Sequence, residues 1–247
     1  MHIETFTAWD PEPGTDSLLG TVDDGDAGRS SLYAVHGSMR KLPDGGGCFG
    51  INVGPGEASV NGRNVGPGQF FSTATGPVIQ ADGLLVAIQL DEYLGTNLIG
   101  GPLEARGRLR YIDGCTDSLL IAPPVLGDPC LNLLHFPVGI DQTAHTHPSV
   151  RFGVVARGRG ECVYEEDGRE GVYALEPGVV FCIPRDCVHK FRTLRGEEMT
   201  VVAYHPDSDH GPQHDDHPML NRTWVGGVKM DNDHFEADFI VGRGGLA

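Results

Sequence analysis

Apolar residues in this sequence occur in short runs that alternate with turn-forming residues. In the first half the runs cover residues 31–36, 48–53, 58–60, 69–72 and 84–90, and in the second half 150–156, 161–165, 171–174, 179–183 and 199–204. Asn61-Gly62 between two runs is a strong hairpin signal. The 36 glycines and 17 prolines agree with many short strands joined by turns. We therefore predict an all-β fold.

The pattern of these runs repeats between the two halves. Residues 65–71 (VGPGQFF) parallel residues 175–181 (LEPGVVF), and Phe49-Gly50 parallels Phe152-Gly153. An internal repeat of this kind predicts two similar antiparallel β-barrels in one chain. The predicted segments are an irregular arm at 1–30 with one short strand at 17–22, an N-terminal barrel at 31–93, a linker at 94–128, a C-terminal barrel at 129–204 and an arm at 205–247 that packs on a barrel.

Three histidines of the second half have the spacing of metal ligands. His145 and His147 are two residues apart, so their side chains point the same way if the chain is extended. His189 follows a strand-like run at 178–183 and can supply a third nitrogen. Three imidazoles leave coordination positions open, as a catalytic metal site requires. The alternative is a barrel lined by three polar residues that has lost its metal.

The first half lacks equivalents of these ligands. His189 lies eleven residues after Gly178, whereas eleven residues after Gly68 comes Ile79. The positions corresponding to His145 and His147 hold Leu42 and Asp44. We therefore predict that the N-terminal barrel is degenerate and serves as scaffold, dimer surface or pocket wall.

The spacing of glycines and histidines resembles the two sequence motifs of cupins. The first motif is matched by Gly139, His145, His147, Gly158 and Gly160, and the second by Gly171, Pro184, Asp186 and His189. The resemblance covers roughly residues 131–204. It implies a jelly-roll type β-barrel that holds a metal in its interior, and hence a bicupin whose metal site lies only in the C-terminal barrel.

Three departures from the cupin motifs bear on chemistry. Arg151 stands where the family has a glutamate ligand, Asp186 replaces the second glycine of the second motif, and Thr193 replaces its asparagine. A three-histidine site remains. Cupins with three histidines and no glutamate are often dioxygenases, so the resemblance implies a non-haem metal and oxygen chemistry. Neutral nitrogen ligands suit iron, zinc, nickel, manganese or copper and exclude magnesium and calcium; Fe(II) is the metal favoured by the resemblance.

Arg151 and His135 are the candidate catalytic residues beyond the metal ligands. Arg151 follows His147 by four positions, so strand alternation places it on the inner face, where a guanidinium could bind a substrate carboxylate. Its alternative is a surface charge. His135 lies ten positions before His145 and shares its face if no bulge intervenes. It could act as an acid or base, or be a hydrogen-bonded core histidine.

Three functions are compatible with these residues. The first is a three-histidine iron dioxygenase that acts on a small organic acid or enol. The second uses zinc or another divalent ion as a Lewis acid in a lyase, isomerase or cyclisation reaction. The third is a barrel that binds a small ligand without catalysis.

Charge and cysteine content restrict partners and compartment. Eighteen basic and 34 acidic residues give a formal charge of −16, which would repel nucleic acid and anionic membranes. The six cysteines contain no CxxC pair and are predicted to be free buried thiols, as in the reducing cytoplasm. No export signal or membrane span is predicted. A homodimer is predicted because strand edges are commonly paired or covered.

Overall fold

A computed structural model of the chain describes residues 3–208 and two short strands further on. Almost all regular structure in this part is strand; its helical segments are two 3₁₀ turns, Gly25–Ala27 and Ile112–Gly114. The predicted all-β class is confirmed. Neither of these turns approaches the length and hydropathy that crossing a bilayer requires. Most of the predicted C-terminal arm, including His210, His214, His217 and His234, lies outside the described residues.

Twenty strands are described. Strands β1 to β9 are Thr7–Trp9, Asp16–Asp23, Arg29–Lys41, Gly46–Asn52, Ala58–Val60, Arg63–Val65, Phe70–Thr73, Val78–Asp91 and Leu98–Gly100. Strands β10 to β18 are Leu109–Arg110, Thr116–Ile121, Cys130–Phe136, Arg151–Gly158, Gly160–Glu166, Arg169–Leu175, Val180–Ile183, His189–Thr193 and Met199–His205. Strands β19 and β20, Trp224–Val225 and Val228–Lys229, pair with each other.

The two halves have the same strand order. The first large sheet runs β2-β3-β8-β4-β7-β9, and the second runs β11-β12-β18-β13-β16-β1 with β10 beside β11. The hairpin β5–β6 pairs with β8 in the first half, as the hairpin β14–β15 pairs with β17 in the second. All of these pairings are antiparallel. The repeat predicted from the sequence is therefore present in the topology.

A glycine covered by a phenylalanine ring occurs at the same place in both barrels. Gly50 on β4 pairs with Phe71 on β7, and Gly153 on β13 pairs with Phe181 on β16. A Cβ atom would lie 2.5 Å from the Phe71 ring at Gly50 and 2.2 Å from the Phe181 ring at Gly153. Only glycine leaves room for either ring, which explains the repeated phenylalanine and glycine positions.

The arm and the linker supply more strands than the sequence predicts. Strand β1 of the arm pairs with β16 of the C-terminal half, and β2, which contains the predicted strand at 17–22, pairs with β3. In the segment 94–128, β9 extends the first sheet while β10 and β11 extend the second. These short segments form strands because an existing sheet edge offers unpaired backbone groups.

Three apolar clusters form the core. Phe71, Ile79 and Leu85 belong to the interior of the N-terminal barrel, and Phe136 and Phe181 to that of the C-terminal barrel. A third cluster contains side chains from both halves, among them Phe49, Ile51, Val86, Phe152, Val154 and Tyr204. The two barrels therefore pack through the outer faces of their large sheets.

All six cysteines lie in the described part of the chain. None of them forms a disulfide, and five are buried while Cys187 is partly exposed. The predicted burial therefore holds for five of the six, and Cys187 is the exception.

Candidate metal centre

His145 and His147 lie in the connection between β12 and β13. They belong to no regular strand, contrary to the expectation that a strand carries them. An isolated bridge joins His145 to His189 on β17: the His145 amide donates to the His189 carbonyl at 2.9 Å, and the His189 amide donates back at 3.0 Å. The Asp186 amide donates to the His147 carbonyl at 2.9 Å. Pairing with β17 and its preceding loop thus holds this connection in place.

The three imidazole rings converge. One nitrogen from each of His145, His147 and His189 lies within 4.8 Å of the other two. The ring centroids are separated by 4.6 to 5.1 Å. Two nitrogens bound to one transition metal at about 2.1 Å each can be at most about 4.2 Å apart, so small ring rotations suffice for all three to share an ion.

Backbone carbonyls orient two of the rings. Nδ1 of His145 donates to the Thr143 carbonyl at 2.8 Å, and Nδ1 of His189 donates to the Cys187 carbonyl at 2.9 Å. Because a carbonyl only accepts, Nδ1 carries the proton and Nε2 keeps its lone pair. Among the described residues, nothing hydrogen-bonds the buried Nε2 of His189. A ring fixed in this way has the arrangement of a metal ligand.

Burial also favours the neutral form of the rings. Burial lowers the pKa of His147 to about 3, with the positive charge of Arg151 as the second cause. Burial likewise lowers the pKa of His189 to about 4. Both imidazoles are therefore neutral near pH 7, the protonation state that metal binding requires.

The cluster lines a narrow cavity inside the C-terminal barrel. Its other walls are mostly apolar and include Leu134, Phe136, Phe181, Ile183, Phe191 and Val201. A larger and more open groove lies next to it, bordered by Leu109, Arg110, Leu119 and Asn132. Tyr111, His147, Arg151 and His205 line both spaces. We call these four residues the neck, because they separate the groove from the histidine cluster.

Arg151 lies at the neck, and only 12% of its side chain is exposed. Its Nη1 donates to the Ser149 carbonyl at 3.2 Å and to the Val150 carbonyl at 3.0 Å. Asp207 lies 3.7 Å away and compensates part of its charge. Among the described residues no acceptor reaches the buried Nε. The guanidinium therefore retains a donor that an anion could use.

The N-terminal half supports this corner of the site. Asp24, which is 4% exposed, accepts a hydrogen bond from the Val150 amide at 2.5 Å. Arg185 donates to the Asp24 carbonyl at 2.9 Å. Burial raises the pKa of the Asp24 carboxyl group. A residue predicted to be in an irregular arm thus fixes the backbone next to Arg151.

His135, the second candidate catalytic residue, is not among the residues that line the cavity. Leu134 and Phe136, its neighbours on β12, both do, and strand alternation places His135 on the opposite face. Its Nε2 lies 3.3 Å from the Glu198 carboxylate. The even offset from His145 fails because the intervening chain leaves the strand after Phe136. His135 is a buried core histidine.

Two residues of the neck were missed in the sequence. His205 continues the alternation of Val201 and Ala203 along β18, and this periodicity was the signal that could have identified it. Tyr111 lies in the predicted linker and had no comparable signal. Burial raises the pKa of Tyr111, so its phenol is protonated near neutral pH and can donate a hydrogen bond.

Comparison with known proteins agrees with the geometry. Residues 132–205 match the family model described as Cupin domain. The fold is similar to that of a Cupin 2 conserved barrel domain protein from Leptotrichia buccalis, with TM-score 0.54 and 16% identity over 82% of this chain and 97% of that chain. No curated protein matches the sequence significantly.

Weaker similarities concern two enzymes. Salicylate 1,2-dioxygenase from Pseudoaminobacter salicylatoxidans, in adducts with gentisate, has TM-score 0.48 and 10% identity over 71% of this chain and 67% of that chain. Oxalate decarboxylase from Bacillus subtilis has TM-score 0.47 and 13% identity over 74% and 68%. At these values neither similarity transfers a property to this chain. The family match and the Leptotrichia structure confirm the cupin resemblance and the fold.

Proposed function

We propose that this chain, which contains a cupin domain, is a metal-dependent enzyme. The proposed activity is that of a three-histidine non-haem iron dioxygenase acting on a small organic acid or enol. The observation that carries the proposal is the convergence of His145, His147 and His189, whose candidate ligand nitrogens lie within 4.8 Å of one another.

The ligand set fits a divalent transition metal. The cluster formed by the described residues contains histidines and no carboxylate. Three neutral ligands would leave the full charge of Fe(II), which would supply redox chemistry with dioxygen and acidify a bound enol or hydroxyl group. Zinc, nickel, manganese and copper accept the same nitrogens.

Arg151 is proposed to hold the substrate carboxylate. It lies at the neck beside His147, and its buried Nε has no acceptor among the described residues. A substrate carboxylate would give this donor a charged partner, and such hydrogen bonds are strong when desolvated. Tyr111 and His205 would contact the part of the substrate that passes from the groove into the cavity. The apolar walls would keep bulk water from the reacting atoms.

Elemental analysis of untagged protein tests the metal proposal first. We expect one transition metal ion per chain in the native protein and none in a His147→Ala variant. Absence of metal from gently purified protein, together with failure to bind added Fe(II), Zn(II) or Co(II), would contradict the proposal and favour a non-enzymatic ligand-binding barrel.

Oxygen dependence then separates two kinds of chemistry. Three histidines also form the ligand set of catalytic zinc, so a Lewis-acid lyase, isomerase or cyclase is the second candidate. A screen of small hydroxy and keto acids with iron-loaded protein should show oxygen uptake that stops under nitrogen. Equal turnover by zinc-loaded protein under nitrogen would establish the Lewis-acid alternative.

A homodimer and a cytoplasmic location are also proposed. Strand β9 is at the edge of the first sheet, and its Leu98 and Ile99 are 38% and 37% exposed. Pairing of this edge with a second copy would cover both side chains. The six cysteines form no disulfide, which suits a reducing compartment. Light scattering on purified protein should give twice the chain mass.

A further inference from the structure

The turn at residues 111–115 contacts the loop that carries His145. The Thr143 amide donates to Oδ2 of Asp113 at 2.6 Å. Asp113 lies in the 3₁₀ turn Ile112–Gly114, within the segment predicted as a linker. This hydrogen bond joins two segments thirty residues apart in sequence.

Thr143 in turn contacts His145, one of the candidate metal ligands. The carbonyl of Thr143 accepts the proton of His145 Nδ1 at 2.8 Å. Asp113 therefore holds the residue whose carbonyl fixes the tautomer and orientation of the His145 ring. A carboxylate that acts on a ligand through one intermediate residue is typical of the outer shell of metal sites.

Gln142 provides further contacts that hold the loop carrying His145. The side chain of Gln142, 2% exposed, has its Nε2 3.5 Å from the Cys115 sulfur. Its Oε1 accepts from the Phe191 amide at 3.1 Å, two residues beyond His189. The loop is thus held between β17 on one side and the turn on the other, so the turn is placed to act on ligand geometry.

We propose that Asp113 is a positioning residue for metal binding by His145. The inference rests on the proposed function, since it requires that the three histidines bind a metal. Loss of the Asp113 carboxylate would free Thr143, and the His145 ring would then sample orientations that do not point at the ion. Losing an outer-shell partner costs about 10- to 100-fold in metal affinity. The exposed position of Asp113 places the expected loss near tenfold.

Three variants separate the hydrogen bond from the backbone conformation. Asp113 has φ of 55°, in the left-handed region that glycine and asparagine tolerate. Asp113→Gly keeps the turn conformation but removes the hydrogen-bond acceptor. Asp113→Asn keeps the turn conformation and an acceptor oxygen. Asp113→Ala removes the acceptor and also strains the turn. We expect the affinity for Co(II) to fall about tenfold in the glycine and alanine variants and less than threefold in the asparagine variant.

Two spectroscopic readouts accompany the Co(II) titration. The visible spectrum of bound Co(II) should change in the glycine and alanine variants, and NMR of ¹⁵N-labelled imidazoles should show loss of the fixed Nδ1–H tautomer of His145. Asp141→Ala is the matched control, because this exposed aspartate on the same loop bonds Lys190 at 2.7 Å instead of the Thr143 backbone. Its affinity for Co(II) should change less than twofold.

The outcomes are distinguishable. If the unmodified chain binds no Co(II), the proposed function fails. If the unmodified chain binds Co(II) and Asp113→Gly binds it equally well, the role of Asp113 is wrong while the proposed function stands. Equal losses in Asp113→Gly and Asp141→Ala would also overturn the inference, because they would indicate a general loosening of the loop.

Discussion

His189 of the C-terminal barrel and Ile79 of the N-terminal barrel occupy matching places in two sheets of the same topology. His189 on β17 pairs with Tyr164 on β14, and Ile79 on β8 pairs with Val60 on β5. Their exposures are 1% and 0%. One barrel therefore buries an imidazole where the other buries an aliphatic side chain.

The two side chains have opposite effects on stability. Burying an isoleucine contributes about 1.5–3 kcal/mol to folding, whereas a buried nitrogen without a partner costs about 1–3 kcal/mol. Leu42, which the internal repeat aligns with His145, is also fully buried. The N-terminal barrel is thus filled for stability, and the C-terminal barrel gives up part of that stability for a polar site.

The largest expected effect is on metal binding. His147→Ala should weaken Co(II) binding by more than about 100-fold, beyond the cost of losing an outer-shell partner, because a direct ligand is removed. His36→Ala, which changes the partly exposed histidine of the N-terminal barrel, is the control. Titration of both variants, with circular dichroism to verify folding, measures the effect. Equal Co(II) affinity in both variants would contradict the prediction that only the C-terminal barrel binds metal.

The repeated glycine and phenylalanine pair sharpens the comparison. Gly50→Ala and Gly153→Ala should each destabilise the protein by about 1–3 kcal/mol, because the new methyl group overlaps a buried ring. Only Gly153→Ala should also weaken Co(II) binding, since Phe181 lines the cavity. Urea denaturation and Co(II) titration of both variants provide the two measurements. A loss of Co(II) affinity in Gly50→Ala would show that the barrels are coupled.

Arg151 provides the next smaller effect. Arg151→Gln should weaken binding of small carboxylates by about tenfold, because a charged hydrogen bond worth about 1.5–3 kcal/mol is replaced by a neutral one worth about 0.5–1.5 kcal/mol. The matching amides should bind both proteins equally weakly. Calorimetric titration with benzoate and benzamide is the measurement. If benzoate binds Arg151→Gln as well as the unmodified chain, Arg151 does not contact the carboxylate.

The smallest effect is expected at His135. Because this side chain is on the face of β12 away from the cavity, His135→Gln should change Co(II) affinity less than twofold, well below the cost of losing an outer-shell partner. Its thermal stability should fall, since the contact with Glu198 is lost. A loss of Co(II) affinity comparable to that of His147→Ala would show that His135 contributes to metal binding.

The sequence by itself determined the all-β class, the repeat and the grouping of candidate ligands. These features depend on local patterns: strand-length runs, turn residues and a spacing of two between His145 and His147. The repeat also aligned Leu42 and Ile79 of the first barrel with two of the candidate ligands. Arg151 lies beside His147 as the sequence predicted, although His147 is outside any regular strand and strand alternation is not the cause.

Tertiary structure decided which distant segments complete the site. The pairing of β1 with β16, the position of Tyr111 at the neck and the hydrogen bond from Thr143 to Asp113 join residues that have no common local pattern. The even offset between His135 and His145 was likewise no guide, because the chain leaves β12 after Phe136 and the two side chains no longer share a face. The physical reason is that the backbone groups at a sheet edge and buried polar groups form hydrogen bonds with whichever segment the fold brings near, and no local sequence pattern specifies that segment.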